Sequence, residues 1–204
     1  MNIELFTAFV LITIVLIITP GPIVTLIVST GATQGSRAAL TTVAGATLGN
    51  AVLLAAIGFG LDWVHAHADL VFEALRWTGA AYLVWLGVRA WRHAGEGAQS
   101  LMETGRTRFV RGLLVALSNP KTIVFFTAFL PQFVDPHLPA GPQLAAMCAV
   151  SVCFAAASDS AWALASGLGG AWFMRPARAK LLGRLSGTVL IGGGLWLSLA
   201  RRPL

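Results

Sequence analysis

Only 11% of the 204 residues are charged and 56% are hydrophobic. A soluble domain carries about a quarter charged residues, so this composition excludes one. The net charge is +6, but the basic residues stand between apolar runs rather than in a patch with aromatics, which argues for membrane topology signals and against nucleic acid.

Several apolar runs reach the roughly 18–20 residues that cross a bilayer as helix. The chain therefore reads as an all-α polytopic membrane protein embedded in a lipid bilayer. We place spans near 5–32, 38–61, 70–91, 110–133, 141–170 and 182–200. A five-span reading, with one interrupted span re-entrant, is the alternative. The N-terminal MNIELF has no lysine or arginine and carries Glu4, which argues against a cleaved signal peptide.

The first span contains LIITPGPIVTLIV. A proline inside a helix removes a donor and clashes with the preceding turn, and it pushes the residue before it toward extended backbone. Thr19, Pro20, Gly21 and Pro22 should thus end one helix and begin another, with Pro22 at a first helical position. A single proline usually means a plain kink, tolerated where neighbours satisfy the freed groups.

In the second span, Gly45 and Gly49 have the G-x-x-x-G spacing of close helix packing. Asn50 follows, either as glue between helices or as a polar group of a pocket. Asp62, His65, His67 and Asp69 crowd a short connection but lack further ligands, so no metal site is expected.

Region 92–109 is linker-like, with its core at about 95–107. It divides one transmembrane domain, 1–204, into halves of about 1–94 and 108–204.

The fourth span holds LVALSNPKTIVFF. Asn119 reads as a helix cap, Pro120 as a first residue, and Lys121 as a charge at membrane depth. Lys121 is open to snorkelling, to orienting a pocket, or to pairing with Asp159. Asp159, in the fifth span, is too short to snorkel and is the sharper functional candidate. It could carry a proton in a coupled cycle or receive an ammonium group. Cys148 and Cys153 lie five apart and fall on different faces, so no disulfide follows. In the last span, Gly192, Gly193 and Gly194 suggest backbone contact.

Ten basic residues fall in the first, third and fifth connections. The positive-inside tendency puts those odd-numbered connections in the cytoplasm and both termini outside, with Arg201 and Arg202 as exceptions. Trp63, Trp77, Trp91, Trp172 and Trp196 sit near span ends, as interface anchors or as packing.

The halves also resemble each other. Arg76, Trp77, Thr78 and Gly79 open the third span as Arg184, Leu185, Ser186 and Gly187 open the sixth. Asn50 corresponds to Asp159, and Pro20 to Pro120. Three spans per half require an inverted repeat, and such repeats with discontinuous helices recur in transporters. We therefore expect two inverted three-helix repeats with discontinuous first and fourth helices. Each new half-helix would offer free amides to a substrate carboxylate. No H-E-x-x-H, G-x-S-x-G or P-loop is present, so no enzyme chemistry and no cofactor is expected.

The segment ITPGPIVTLIVSTGATQGSRAALTTVAGATLGN resembles the first block of the LysE/RhtB family of amino-acid exporters. GAAYLVWLGVRAWR, LSNPKTIVFFTAFLPQFVDP and RLSGTVLIGGGLWLSLARR resemble its third, fourth and closing blocks. The resemblance implies a proton-driven, inner-membrane secondary exporter of amino acids or close relatives. It implies Pro20, Gly21, Pro22, Asn119, Pro120, Lys121 and Asp159 as motif residues; Thr19 and Asn50 join them as substrate-binding candidates on the reading of the breaks and spans above. Ile23 departs from the family, where many relatives carry a polar residue. Ser160, Ala161 and Trp162 depart where relatives often show a tyrosine. A metal-ion or other ion exporter on a related six-helix plan is the alternative, and homo-oligomerisation stays open.

Overall fold

The computed structural model describes residues 2–67, 69–92, 104–173 and 175–199. Every regular element among them is helical. Helix α1 (Ile3–Ile18) starts at Asn2, whose side chain accepts from the amides of Glu4 and Leu5. It stops at Thr19, whose backbone is extended (φ −66°, ψ 120°), as the following proline demands. Helix α2 (Pro22–Gln34) opens with Pro22 in its first turn and leaves α1 at 45°. It ends at Gly35, which takes φ 87°, a conformation that costs glycine nothing.

Next come α3 (Ser36–His67), α4 (Asp69–Arg92), α5 (Gly105–Leu117) and α6 (Pro120–Phe129). A 3-10 turn, Leu130–Phe133, extends α6. Helices α7 (Ala140–Leu168), α8 (Gly170–Phe173) and α9 (Pro176–Leu199) complete the order. The six expected segments fall on α1–α2, α3, α4, α5–α6, α7 and α9. Of the expected linker, 105–107 is already helical in α5; the His65 and His67 side chains lie outside the described residues.

Among the described residues, Ser36–Gly60, Gly105–Phe133 and Ala140–Leu168 are long and apolar enough to cross a bilayer. The bent pair α1–α2 makes a fourth candidate. The two interruptions differ, since α5 and α6 run on as one stretch whereas α1 and α2 diverge. Phe59, Leu168 and Leu199 are exposed, an outer surface suited to lipid rather than water.

Helix α3 packs along α5 and α7, α4 along α9, and α2 against α7. Glycine permits the closest of these approaches. A Cβ on Gly45 would strike the Phe109 carbonyl of α5, and one on Gly112 would strike the Thr42 carbonyl of α3. Gly87 and Gly187 face each other's carbonyl oxygens across the α4–α9 contact. Of Gly192, Gly193 and Gly194, only Gly194 meets backbone, at Ala80 and Val84; Gly192 faces open space and Gly193 barely reaches Phe129, a narrower role than expected.

The larger core gathers Phe9, Leu54, Phe129, Leu130, Phe133 and Met147. Phe125 stacks on Phe129 at 4.4 Å between ring centroids, and Trp196 stacks on Phe129 at 5.1 Å. Trp196 therefore packs, while Trp77, Trp91 and Trp172 are about half exposed. Cys148 is buried and Cys153 exposed, on different faces as expected.

Candidate functional site

The first interruption leaves carbonyls in need of donors. In a continuous helix the Leu16 carbonyl would accept from residue 20, but proline has no N–H. The Thr19 amide is shared between the carbonyls of Val15 and Leu16, at 3.2 Å each. The missing donor comes from the other half of the chain. Lys121 Nζ donates to the Leu16 carbonyl (2.7 Å) and to the Thr19 carbonyl (2.5 Å). A cation at a helix C-terminus is also favoured by the helix dipole.

The second interruption positions that lysine. Asn119 has extended backbone and caps α6, its Oδ1 accepting from the Lys121 amide at 3.2 Å. Its Nδ2 donates to Thr122 Oγ1 at 2.8 Å. Pro120 takes a first-turn position, as expected. Lys121 is buried, so of the readings left open it neither snorkels nor reaches the interface. Its stem passes Gly21, where an added Cβ would sit 3.2 Å from Lys121 Cδ. Gly21 therefore matters for room beside the lysine; its φ of −139° is ordinary extended backbone.

The two helix starts are unequal. Gly21 gives α2 no side-chain cap, and the first internal bond runs from the Thr25 amide to the Gly21 carbonyl. The amides of Ile23 and Val24 precede that bond and have no acceptor within the helix. Asn119 and its partner Thr122, by contrast, close off the start of α6.

Both interruptions open on one small cavity of about 50 Å³, room for a few water molecules. Thr19, Gly21, Asn50, Asn119, Lys121 and Asp159 all line it. Pro20, Pro22 and Pro120 set the two breaks but are not among the residues that line the cavity. Asn50 and Asp159 are each 5% exposed. Asn50 Oδ1 is buried with no hydrogen-bond partner. Lys121 and Asp159 feel each other's charge across the space. Leu16, Ile17, Ile23, Val24, Leu54, Phe126 and Ala155 supply an apolar wall.

Two polar lining residues escaped the sequence reading, Thr122 and Ser151. Ser151 lies eight residues before Asp159 on α7, a spacing that returns to the same helix face. That spacing was the available signal. Of the two departures noted above, Ile23 lies in the lining, whereas Trp162 packs against the smaller core around Ile27 and Val43.

This convergence can be set beside known proteins. The family model described as LysE type translocator matches residues 14–200. The chain belongs to the LysE-type translocator family. It is similar to the homoserine/homoserine lactone efflux protein of Salmonella typhimurium strain LT2, at 32% identity over 205 residues, covering 98% of this chain and 99% of the relative. It is also similar to the leucine efflux protein of Enterobacter sp. strain 638, at 32% identity over 129 residues, 59% of each chain. No solved structure matches it. As a LysE-type translocator the chain is a membrane transporter, and the family and these relatives indicate transport rather than catalysis.

Proposed function

We propose that this LysE-type translocator is a secondary active exporter of amino acids or closely related small zwitterionic metabolites, coupled to protons across the cytoplasmic membrane. The observation that carries the reading is the single cavity where an uncapped helix start, Lys121, Asp159 and the unpartnered Asn50 oxygen converge. A substrate carboxylate fits the amides at Gly21, Ile23 and Val24, with the Lys121 charge beside it. The ammonium group fits Asp159 and Asn50 Oδ1, and the apolar wall takes a short side chain. Asp159 can hold a proton or a substrate ammonium but not both, and that exclusivity couples the two fluxes. The relatives named for homoserine, homoserine lactone and leucine efflux agree with a substrate of this size and class.

The same reading takes the chain as one domain of six spans in two inverted repeats. The packing supports it: taken span by span, an exchange of halves maps the contact of α3 with α5–α6 onto that of α7 with α1–α2, and leaves α3–α7 and α4–α9 mapped onto themselves. The basic connections then face the cytoplasm and the 134–139 connection faces outside. The alternative, a metal-ion exporter, finds little support in a lining with one carboxylate and no imidazole or thiol.

The test is a panel of proteoliposomes, each loaded with one amino acid, with efflux followed under an imposed pH gradient. We expect at least one small neutral amino acid to leave faster with the gradient than without it. Movement of a divalent cation with no amino acid moving would overturn the reading.

A further inference from the structure

Buried hydroxyls in this bundle almost all bond to their own helix. Ser29 and Thr30 donate to the Leu26 carbonyl, Thr42 to Ala38, Ser151 to Met147 and Ser166 to Ala163. Such back-bonding is how an apolar helix accommodates a hydroxyl. Thr13 breaks the pattern: it is fully buried in α1, and its Oγ1 has no partner. Gln132, in the 3-10 turn after α6, is 6% exposed, and neither its Oε1 nor its Nε2 has a partner. With Asn50 Oδ1, these are the buried side-chain polar atoms without a partner among the described residues. Leaving such groups unpaired costs stability, so each needs a reason.

Their placement supplies one. Thr13 shares the buried face of α1 with Phe9 and Leu16. Leu16 lines the central cavity, and Thr13 lies three residues farther from the break, about 4.5 Å along the helix axis. The 3-10 turn packs on α1, and Phe133, next to Gln132, meets Phe9 edge-on at 5.6 Å. Beyond it the 134–139 connection is fastened by Gln143, whose Nε2 donates to the carbonyls of Asp135, Leu138 and Pro139. On the opposite side of the cavity, toward α8, small residues seal the bundle. A Cβ on Gly31 would strike Ser166, and one on Gly167 would strike Ser36.

We propose that Thr13 and Gln132 form a second, uncharged polar station for a zwitterionic solute, between the central cavity and the membrane face bearing the 134–139 connection. The proposal rests on the export reading above. A hydroxyl and a carboxamide both donate and accept, so together they can pass an ammonium and a carboxylate group. Lacking charge, they hold the solute weakly enough to release it, as conduction through successive sites requires.

The test uses single cysteines in the full chain with Cys148→Ala and Cys153→Ala. Thr13→Cys, Gln132→Cys and the apolar neighbour Leu130→Cys are exposed, in proteoliposomes, to a charged, membrane-impermeant thiol reagent. We expect Thr13→Cys and Gln132→Cys to react at least tenfold faster than Leu130→Cys, and excess transported amino acid to slow them. Reaction no faster than Leu130→Cys at both positions overturns the station. Fast reaction that no amino acid slows supports a polar route but counts against the amino-acid reading, so the two failures are distinct. A second pair, Thr13→Val and Gln132→Leu, should raise the melting temperature, leave equilibrium substrate affinity unchanged and lower efflux at least tenfold. Wild-type efflux in both would also overturn the proposal.

Discussion

Lys121 shows how one side chain can make a broken helix tolerable. Each buried carbonyl left without a donor costs about 1–3 kcal/mol, and burying an ammonium group costs several kcal/mol more unless it is well paired. Two charge-assisted bonds to Leu16 and Thr19, with the Asp159 charge nearby, meet both demands at once. The lysine owes its position to Asn119, which caps α6 through the Lys121 amide. Replacing Asn119 by alanine removes that cap and the bond to Thr122, a loss of about 1–2 kcal/mol. We expect Asn119→Ala to lower the melting temperature of the detergent-purified protein and Asn119→Ser, which can still cap, to recover most of it. Equal melting temperatures for all three proteins would show that the cap contributes nothing.

The helix interruptions were legible in the sequence because proline acts locally. Pro20, Pro22 and Pro120 push the residue before each of them to extended backbone wherever the chain goes, and Thr19, Gly21 and Asn119 follow suit, with helices opening at Pro22 and Pro120. The reach of Lys121 to the other half was not legible, since it depends on how the two breaks dock. Nor were Thr13, Thr122 and Gln132, because a polar residue in an apolar helix usually finds a partner close by; only the spacing of Ser151 from Asp159 offered a signal. The G-x-x-x-G spacing was informative for the same reason as the prolines: at Gly45 and Gly49 only a missing Cβ lets α5 approach. Gly45→Ala and Gly112→Ala should therefore force α3 and α5 apart and cost about 1–3 kcal/mol each. Gly192→Ala, which meets nothing within 4 Å, should cost no stability. Thermal unfolding of the three variants in one detergent decides this, and an unchanged Gly112→Ala would contradict the packing.

In the whole molecule, residues far apart in sequence converge because α2 and α7, and α3 and α5, pack as pairs around α3–α7. That arrangement brings the break of one half, the break of the other, Asn50 and Asp159 to one cavity. On the proposed export reading, the bundle opens toward either membrane face in turn around this site. On that reading, the tight glycine contacts near Ser36 and Ser166 close one side of the site, and the unpaired polar groups near the 134–139 connection lie toward the other. The most direct measurement compares wild type with Asp159→Asn in matched proteoliposomes. It follows efflux of one transported amino acid with and without an imposed pH gradient. We expect folded Asp159→Asn to lose at least tenfold in efflux rate and to respond no longer to the gradient. Wild-type efflux with an intact response to the gradient would contradict it.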